Sequence, residues 1–582
     1  MPRIAFTAKP ATSRIRPRTS TGSCRKAAED PIIRTCKILA AAGAALAFGT
    51  SASASRLVVP NDPAQIYVAA RAAAINGDHG EAAQMLAQIA GTSGAVASQA
   101  VNEAIRAGDY DLALKLVSQS PEASKTVQAR LLLIADALRH EQIELAGQWL
   151  KSPGVDVDLG FWAPMVQAWG AADRGDRAAA MAALAAVPKD SAFSPFVDEE
   201  STLILLKFGR TADAEPLADR AITAAGARET RLRLAFAAGF QKAGDRKRAL
   251  TMIQGMDDSA ERIAELNSGR LKSMLIDTAA KAFSEQLLGL AIEMKRSNGI
   301  AGDPFNIVQI ARFASPDNSD ATILAGLLLA ERGETDQSLS LLQSIPSTDP
   351  FANEALDAQA KALIDGKRFP EALALAQATV RSSGATADDY VRLGDVFSSL
   401  KRYSEAADAY QQALVRSGNA SVNELWPILL LQASSLESAH RWPEAKHVLD
   451  KAIALAPNQP VLLNFLGYAG LEHGEDLKTS DALIVKASSL DPDDASITDS
   501  LGWALYKQGR IEDAIDTLQK AAAGDPAQAE IQEHLGDALY SAGYRFEARY
   551  AWRAALATAD EDAQERLKAK IASGLTQMTA AR

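Results

Sequence analysis

The feature that most constrains this chain is a pattern of small residues repeated every 34 positions near its carboxyl end. DSLGWALYKQGRIEDA at residues 499–514 is followed by HLGDALYSAGYRFEA at residues 534–548. The matching positions are Leu501-Gly502 and Leu535-Gly536, Gly509 and Gly543, and Ala514 and Ala548. A fixed period of this length is typical of arrays of one supersecondary unit. The sequence therefore predicts a stack of similar units.

Each unit reads as a pair of helices, because alanine and leucine dominate and Val-Ile-Thr blocks are few. We predict a first helix over residues 495–507, a tight turn over 508–510 and a second helix over 511–523. Gly502 and Ala514 fall where these two helices cross, and larger side chains there would hold the axes beyond the usual distance of about 8–10 Å. Such a hairpin cannot bury its apolar face alone, so it must stack on its neighbours.

Further copies of the pattern extend toward the amino end. Small-residue pairs recur at Leu393-Gly394 and Leu466-Gly467, and weaker turn-plus-alanine copies lie at residues 75–83, 106–113, 208–214, 242–249, 331–338 and 365–372. These copies predict about 12 hairpins in an all-α solenoid.

The period and pattern resemble the tetratricopeptide repeat, most specifically over residues 390–414 and 460–558. The resemblance implies a right-handed α-solenoid superhelix whose first helices line a concave groove that binds proteins or peptide segments. The run that begins LNFLGYAGLEHGEDLKTSDALIVKASSLDPDDASITDSLGWALYKQGRIEDA also resembles the carboxyl-terminal third of large exported bacterial tetratricopeptide proteins. That group includes the lipoprotein adaptor of a periplasmic carboxyl-terminal processing protease. This chain has no cysteine where the adaptor's lipidated cysteine would stand.

Residues 1–54 read as a secretory signal peptide with a long basic leader. Nine Lys or Arg precede an uncharged run at Ile38–Phe48, which small residues follow up to Ala54. The run is too short for a membrane span of about 20 residues. We therefore expect a periplasmic protein with no integral span after cleavage; an uncleaved anchor is the alternative. Cys24 and Cys36 both lie in this leader, so the remainder has no thiol.

The rest of the chain divides by the clarity of the repeats. We predict a degenerate array over 55–254, an irregular helical joint over 255–317, a carboxyl-terminal array over 318–560 that is clearest over 387–558, and a capping helix and tail over 561–582. Removing the leader's net charge of +7 from the total of −11 leaves about −18. An acidic protein of this kind lacks the basic face that nucleic-acid binding requires.

No pattern in the chain indicates catalysis. The six histidines are scattered, and neither HExxH, CxxC, GxSxG nor a phosphate-binding glycine motif is present. We therefore predict no catalytic, cofactor-binding or metal-binding residues, and a protein that is not an enzyme. The alternative of an enzyme or sugar-binding module would need a pocket built by the irregular stretch 255–317.

The candidate site is the concave face of the last three first helices. We expect its side chains to be at least partly exposed: Asn464, Tyr468, Asp499, Trp503, Tyr506, Glu533, Asp537 and Tyr540. Exposed aromatic side chains are frequent binding anchors, and acids beside them suit a basic or apolar peptide segment or a partner helix. The other interpretation is that these aromatics cover gaps between adjacent first helices.

The leading hypothesis is a soluble, non-catalytic periplasmic scaffold that holds partner proteins in its groove. Its sharpest form links an envelope protease to its substrates and is implied by the resemblance alone. The alternative is a structural subunit of an envelope assembly or a polysaccharide-export complex.

Overall fold

The computed structural model describes residues 62–154, 157–256, 258–296, 302–418 and 420–576. The predicted signal peptide, with both cysteines, lies outside these residues, and so do residues 577–582 of the predicted tail. Over the described ranges the chain forms thirty α-helices and no β-strand. The predicted all-α solenoid is confirmed.

The helices follow one another with short connections. The first fifteen are α1 (Pro63–Ile75), α2 (His79–Ile89), α3 (Gly94–Ala107), α4 (Tyr110–Gln119), α5 (Val127–Arg139), α6 (Ile143–Lys151), α7 (Ala163–Asp173), α8 (Arg177–Ala185), α9 (Val197–Lys207), α10 (Thr211–Ala224), α11 (Glu229–Lys242), α12 (Arg246–Ile253), α13 (Ser259–Ser268), α14 (Ala279–Arg296) and α15 (Phe305–Ala314). The other fifteen are α16 (Ser319–Glu331), α17 (Thr335–Gln343), α18 (Ala352–Asp365), α19 (Phe369–Val380), α20 (Ala387–Ser399), α21 (Tyr403–Arg416), α22 (Val422–Ser438), α23 (Trp442–Leu455), α24 (Pro460–Glu472), α25 (Leu477–Leu490), α26 (Ala495–Lys507), α27 (Ile511–Gly524), α28 (Ala529–Ser541), α29 (Arg545–Thr558) and α30 (Glu561–Ser573).

The hairpin of α26 and α27 shows why the small residues recur. Its helices lie where the sequence predicts them, and the turn between them uses Gly509 in the left-handed conformation, with φ at 78°. A Cβ atom added to Gly502 would lie 2.6 Å from Cγ of Leu518 on the partner helix. Ala514 is fully buried at the same crossing. Small side chains therefore set the helix–helix distance, as expected.

Consecutive helices pair as hairpins from α1/α2 to α11/α12 and again from α14/α15 to α28/α29. This makes fourteen pairs in the described residues, compared with the expectation of about 12. The pair α5/α6 shows why sequence patterns undercount: its turn places Glu141, not glycine, at a positive φ of 58°. The glycine that marks most of the turns is absent there.

The amino-terminal half is wound around two of its own helices. α14 and α15 lie within the stretch expected to be an irregular joint, and they pack against α3, α5 and α7, which are the first helices of consecutive hairpins. Deeper in this interface, Gln286 donates from Nε2 to Glu200 Oε1 at 2.8 Å. One continuous hydrophobic core runs from Ile66 to Phe351. Much of the concave side of this half is thus filled by the chain itself.

A polar contact joins the two ends of this wound half. Gln337 at the start of α17 donates from Nε2 to the carbonyl oxygen of Gly77 in the first turn, at 2.8 Å. His79 lies beside it, with Nδ1 2.7 Å from Glu103 and Nε2 3.8 Å from Glu334. Hydrogen bonding to Glu103 raises the pKa of His79 to about 9. His79 is therefore charged at neutral pH and holds two carboxylates that are more than 200 positions apart.

The carboxyl-terminal half is built differently. Its hydrophobic core is divided into several separate clusters, each formed by a few neighbouring helices. Each hairpin there contacts little beyond its neighbours along the chain. This is the arrangement expected of an open repeat array.

Candidate interaction surfaces

The structure brings the eight predicted groove residues together as one strip across α24, α26 and α28. Four of them are partly exposed: Asn464, Tyr468, Tyr506 and Tyr540. The expectation of exposure is wrong for the other four, which are between 1% and 4% exposed: Asp499, Trp503, Glu533 and Asp537. Side chains from neighbouring helices cover these four.

Trp503 fills the space between adjacent first helices. Its Nε1 donates to Glu472 Oε1 at 2.8 Å, and its ring is stacked between Tyr506 and His534, with ring centroids 4.8 and 4.1 Å away. An indole held on both faces and at its polar edge has no surface left for a partner. The interpretation that the aromatics cover gaps between helices is thus the correct one for Trp503.

Asp499 lies below this stack in a buried ion pair. His534 Nδ1 is 2.9 Å from Asp499 Oδ2, and both side chains are almost fully buried. Burial disfavours the charged imidazole, but Asp499 raises the pKa of His534 to about 9. Tyr468 closes the upper side and donates its hydroxyl to Glu530 at 2.8 Å. Asp499 is therefore neutralised from within the chain.

The last helix, α30, supplies the cations for the other two acids. Lys570 is fully buried and its Nζ lies 2.7 Å from both Glu533 and Asp537. Arg566 donates to both Glu533 oxygens at 2.8 Å. Against the effect of burial, these two cations hold the pKa of Glu533 below its usual range. The predicted acidic groove for a basic peptide does not exist here, because its charges are already paired.

The repeat register explains why Lys570 reaches these acids. It stands 34 residues after Gly536 and 68 after Gly502, so α30 continues the series of first helices. The helix packs on α29 as a first helix would. Extending the period into the final segment would have found this pairing from sequence.

A concave pocket of about 640 Å³ lies at the other end of the molecule. It opens between the first helices of the first three hairpins and the start of α15. Its lining is mostly polar: Tyr67, Arg71, Ala74, Ile75, His79, Gln99, Asn102, Glu103, Arg106, Gln128, Asp303 and Asn306. This amino-terminal pocket is the part of the wound half's concave side that α14 and α15 leave open.

Two asparagines give the amino-terminal pocket unused hydrogen-bonding capacity. Oδ1 of Asn306, a residue only 7% exposed, has no partner, and neither has the buried Oδ1 of Asn102. Nine other buried side-chain atoms of the described residues also lack a partner, including Asn464 Oδ1 and Asp499 Oδ1, but Asn102 and Asn306 are the two that line this pocket. Arg71 is exposed at the rim and makes no ion pair with a described residue. Both asparagines line the pocket with polar side chains, and Arg71 at its edge can pair with a carboxylate.

The charged groups of this pocket are otherwise balanced. Arg106 pairs with Asp303 at 2.6 Å, and Tyr110 donates its hydroxyl to the Gln309 carbonyl at 2.8 Å. These contacts fix α15 against α3 and α4. The pocket walls are therefore held in place by contacts that do not involve the two free amide oxygens.

The sequence contained a signal for this pocket that its turn motifs alone did not reveal. Arg71 and Asn102 each lie six residues before a turn glycine, Gly77 and Gly108, as Trp503 lies six before Gly509. This register position faces the concave side in each hairpin. Trp503 is covered at this position by neighbouring side chains, whereas Arg71 and Asn102 line the amino-terminal pocket.

The described residues contain no group of three or more His, Cys, Asp or Glu arranged to hold a metal ion. Among the same residues, no helix combines the length and apolar character needed to cross a bilayer.

Two family models match parts of the chain. One, described as a TPR repeat, matches residues 502–543, and another, described as a tetratricopeptide repeat, matches residues 358–421. These two stretches of the chain match tetratricopeptide repeats. The matches identify a repeat fold that typically serves as an interaction scaffold, and they describe no enzyme.

One curated protein is similar to a short part of the chain. TPR repeat-containing protein PA4667 of Pseudomonas aeruginosa is 42% identical over 62 residues, which is 11% of this chain and 10% of that protein. The chain thus spans about a tenth of this curated relative's length.

The solved structures resemble this chain at low sequence identity. The Cut9–Hcn1 hetero-tetramer of APC/C aligns over 89% of this chain and 97% of its own, with 16% identity and a TM-score of 0.36. A thermophilic TPR protein of Thermus thermophilus aligns over 32% and 98%, with 21% identity and a TM-score of 0.29. MamA aligns over 28% and 95%, with 21% identity and a TM-score of 0.23.

Proposed function

We propose that this chain is a non-catalytic scaffold of the bacterial cell envelope that binds an extended segment of a partner protein in the amino-terminal pocket. The observation that carries the proposal is the concave space of about 640 Å³ with a mostly polar lining, which includes Asn102 and Asn306, whose side-chain oxygens have no partner within the described residues. An extended backbone carries N–H groups at regular spacing, and each needs a hydrogen-bond acceptor when the segment is buried.

The lining also suggests the side chains that such a segment would carry. Tyr67 and Ile75 are exposed beside the pocket and supply apolar surface. Arg71 at the rim is available for a carboxylate. Because the acids of the pocket are already paired, a segment with one acidic and several small or apolar residues fits better than a basic one.

The location and the partner are further parts of this proposal. The basic leader, short apolar run and small residues up to Ala54 support export to the periplasm. Resemblance of residues 463–556 to an exported protease adaptor supports a processing protease, or one of its substrates, as the partner. An affinity-tagged form recovered from the periplasm is expected to co-purify such a protease; repeated recovery without one would end this part of the proposal.

The pocket itself is tested with matched variants at the two ends of the molecule. Tyr67→Ala with Asn102→Ala is expected to reduce partner capture by about tenfold or more, since one or two anchors commonly carry that much binding energy. Asn464→Ala with Tyr506→Ala, on the carboxyl-terminal strip, serves as the control and is expected to leave capture unchanged. Quantitative mass spectrometry of the captured proteins, with melting curves of the unaltered chain and both variants, measures the effect. The reverse pattern would move the site to the carboxyl-terminal strip.

A further inference from the structure

The outer surface of the last hairpin carries an exposed aromatic cluster. Tyr544, Phe546 and Tyr550 are 46%, 68% and 55% exposed. Phe546 and Tyr550 meet edge to face with ring centroids 4.9 Å apart, and Arg553 lies over the Tyr550 ring at 5.8 Å. We call these four residues the α29 face.

Packing within the repeat does not account for the α29 face. The same outward positions of the preceding hairpin, 34 residues earlier, hold Glu512 and Asp516 in place of Phe546 and Tyr550. Both carboxylates are exposed, so the repeat makes no structural use of these positions. Contiguous exposed aromatic side chains without a packing role mark interaction sites.

The charge of α29 differs from that of the rest of the protein. From Arg545 to Thr558 the helix has three arginines and one glutamate, a net charge of +2, while the chain carries −11. Arg553 makes no ion pair with a described residue, and Arg549 donates only to the Ile571 carbonyl at 3.1 Å. The cations of this helix are therefore available to an outside group.

We propose that the α29 face docks an acidic segment of a partner protein that also carries apolar side chains. Arginines would pair with its carboxylates while Phe546 and Tyr550 take its apolar residues; arginine and tyrosine are both enriched at the energetic centres of interfaces. This site is on the convex side of the last hairpin, and it is independent of the amino-terminal pocket.

Charge argues against the other occupants available. The chain's own residues 1–61, outside the described ranges, are strongly net basic and would repel the arginines, and residues 577–582 contain no acidic side chain. A symmetric contact between two copies would place arginine against arginine. A contact with a different, acidic face of a second copy would be heterologous and would lead to rings or to open filaments.

The test uses the full chain and a synthetic peptide of about 20 residues in which leucine recurs at helical spacing among glutamates. Fluorescence anisotropy is expected to show binding that weakens about tenfold or more in the double variant Phe546→Ala/Tyr550→Ala and in Arg549→Glu/Arg553→Glu. The control Glu512→Ala/Asp516→Ala changes the matching positions of the preceding hairpin and is expected to bind as the unaltered chain does. Replacing the peptide's glutamates by glutamine is expected to weaken binding to a similar degree.

Several results would overturn the proposal. These are no binding of the acidic peptide at millimolar concentration, equal binding by all variants, and equal binding of the glutamine peptide. Sedimentation velocity that shows Phe546-dependent self-association would assign the face to a second copy. Flotation with phosphatidylglycerol vesicles that depends on the same residues, without peptide binding, would assign it to a membrane surface. All substituted side chains except Arg549 are exposed, and circular dichroism checks that each variant folds.

Discussion

Gly502 shows how a single residue fixes the geometry of a hairpin. The 2.6 Å between its would-be Cβ and Leu518 is shorter than any ordinary contact, and the Leu518 backbone nitrogen lies close behind at 3.3 Å. Such positions tolerate no added atom without a shift of one helix. The repeated small residues mark the points where two helices of a hairpin touch. Their spacing could therefore be interpreted without a structure.

We predict that Gly502→Ala destabilises the carboxyl-terminal half by about 1–3 kcal/mol, because overpacking must separate α26 from α27. Gly147 in α6 is a matched control: it is also helical, but a Cβ there would meet no atom within 4 Å. Gly147→Ala is expected to be neutral or to stabilise by about 0.5–1 kcal/mol through helix propensity. Denaturant melts compare the two, and equal effects would contradict the interpretation.

His79 has a pH-dependent role that can be followed locally. Its pKa is about 9 in the folded chain and 6.5 in an ordinary environment. The stabilisation is therefore complete below about pH 6.5 and is lost as the pH rises through about 9. We expect hydrogen exchange in α1 and α2 to accelerate by at least about threefold over this range, beyond the intrinsic pH dependence of exchange.

The variant His79→Gln is expected to remove that pH response and to exchange faster already at pH 6. His534 also has a pKa of about 9, but it lies in α28, so peptides from α1 and α2 report on His79 alone. An unchanged pH response in His79→Gln would show that another group is responsible.

At the scale of the element, α30 neutralises the buried acids of α28. Its Lys570 is fully buried between Glu533 and Asp537, and removing one partner of a buried charge group leaves the others uncompensated. We predict that Lys570→Ala costs about 3–5 kcal/mol at pH 7.5. The loss should be smaller at pH 5, because carboxylates without their cation take up protons more readily.

Lys568→Ala on the same helix is the control. Its partner Glu565 is exposed, and a surface pair of this kind contributes no more than about 1 kcal/mol. Thermal melts at both pH values compare the variants. Equal melting temperatures would show that α30 does not stabilise α28.

Helix pairs and crossings could be predicted from the sequence, and surface exposure could not. Predicted and observed bounds of α26 agree because propensity and small-residue spacing are properties of the hairpin itself. Whether Trp503 is exposed depends on Glu472 and His534, which belong to other helices. A periodic pattern gives the direction in which a side chain points but not what lies opposite. The candidate site was therefore only half predictable.

At the scale of the whole molecule, the two halves are stabilised in different ways. The half from Ile66 to Phe351 shares one core around α14 and α15, whereas the later hairpins have separate cores. The pattern over 255–317 is irregular because its helices serve contacts across the half rather than contacts along the array. No local period could reveal that they lie on the concave side.

The Gln337–Gly77 contact has a consequence for how such a protein changes over generations. A duplicated or deleted hairpin beyond Phe351 would only lengthen or shorten the array, since its neighbours would meet the same surfaces as before. A duplication or deletion between Gly77 and Gln337 would separate the two ends of the amino-terminal half by a whole hairpin. It would also expose α14 and α15. Copy-number variation among descendants of this gene should therefore concentrate in the carboxyl-terminal half, while the amino-terminal half keeps a constant length.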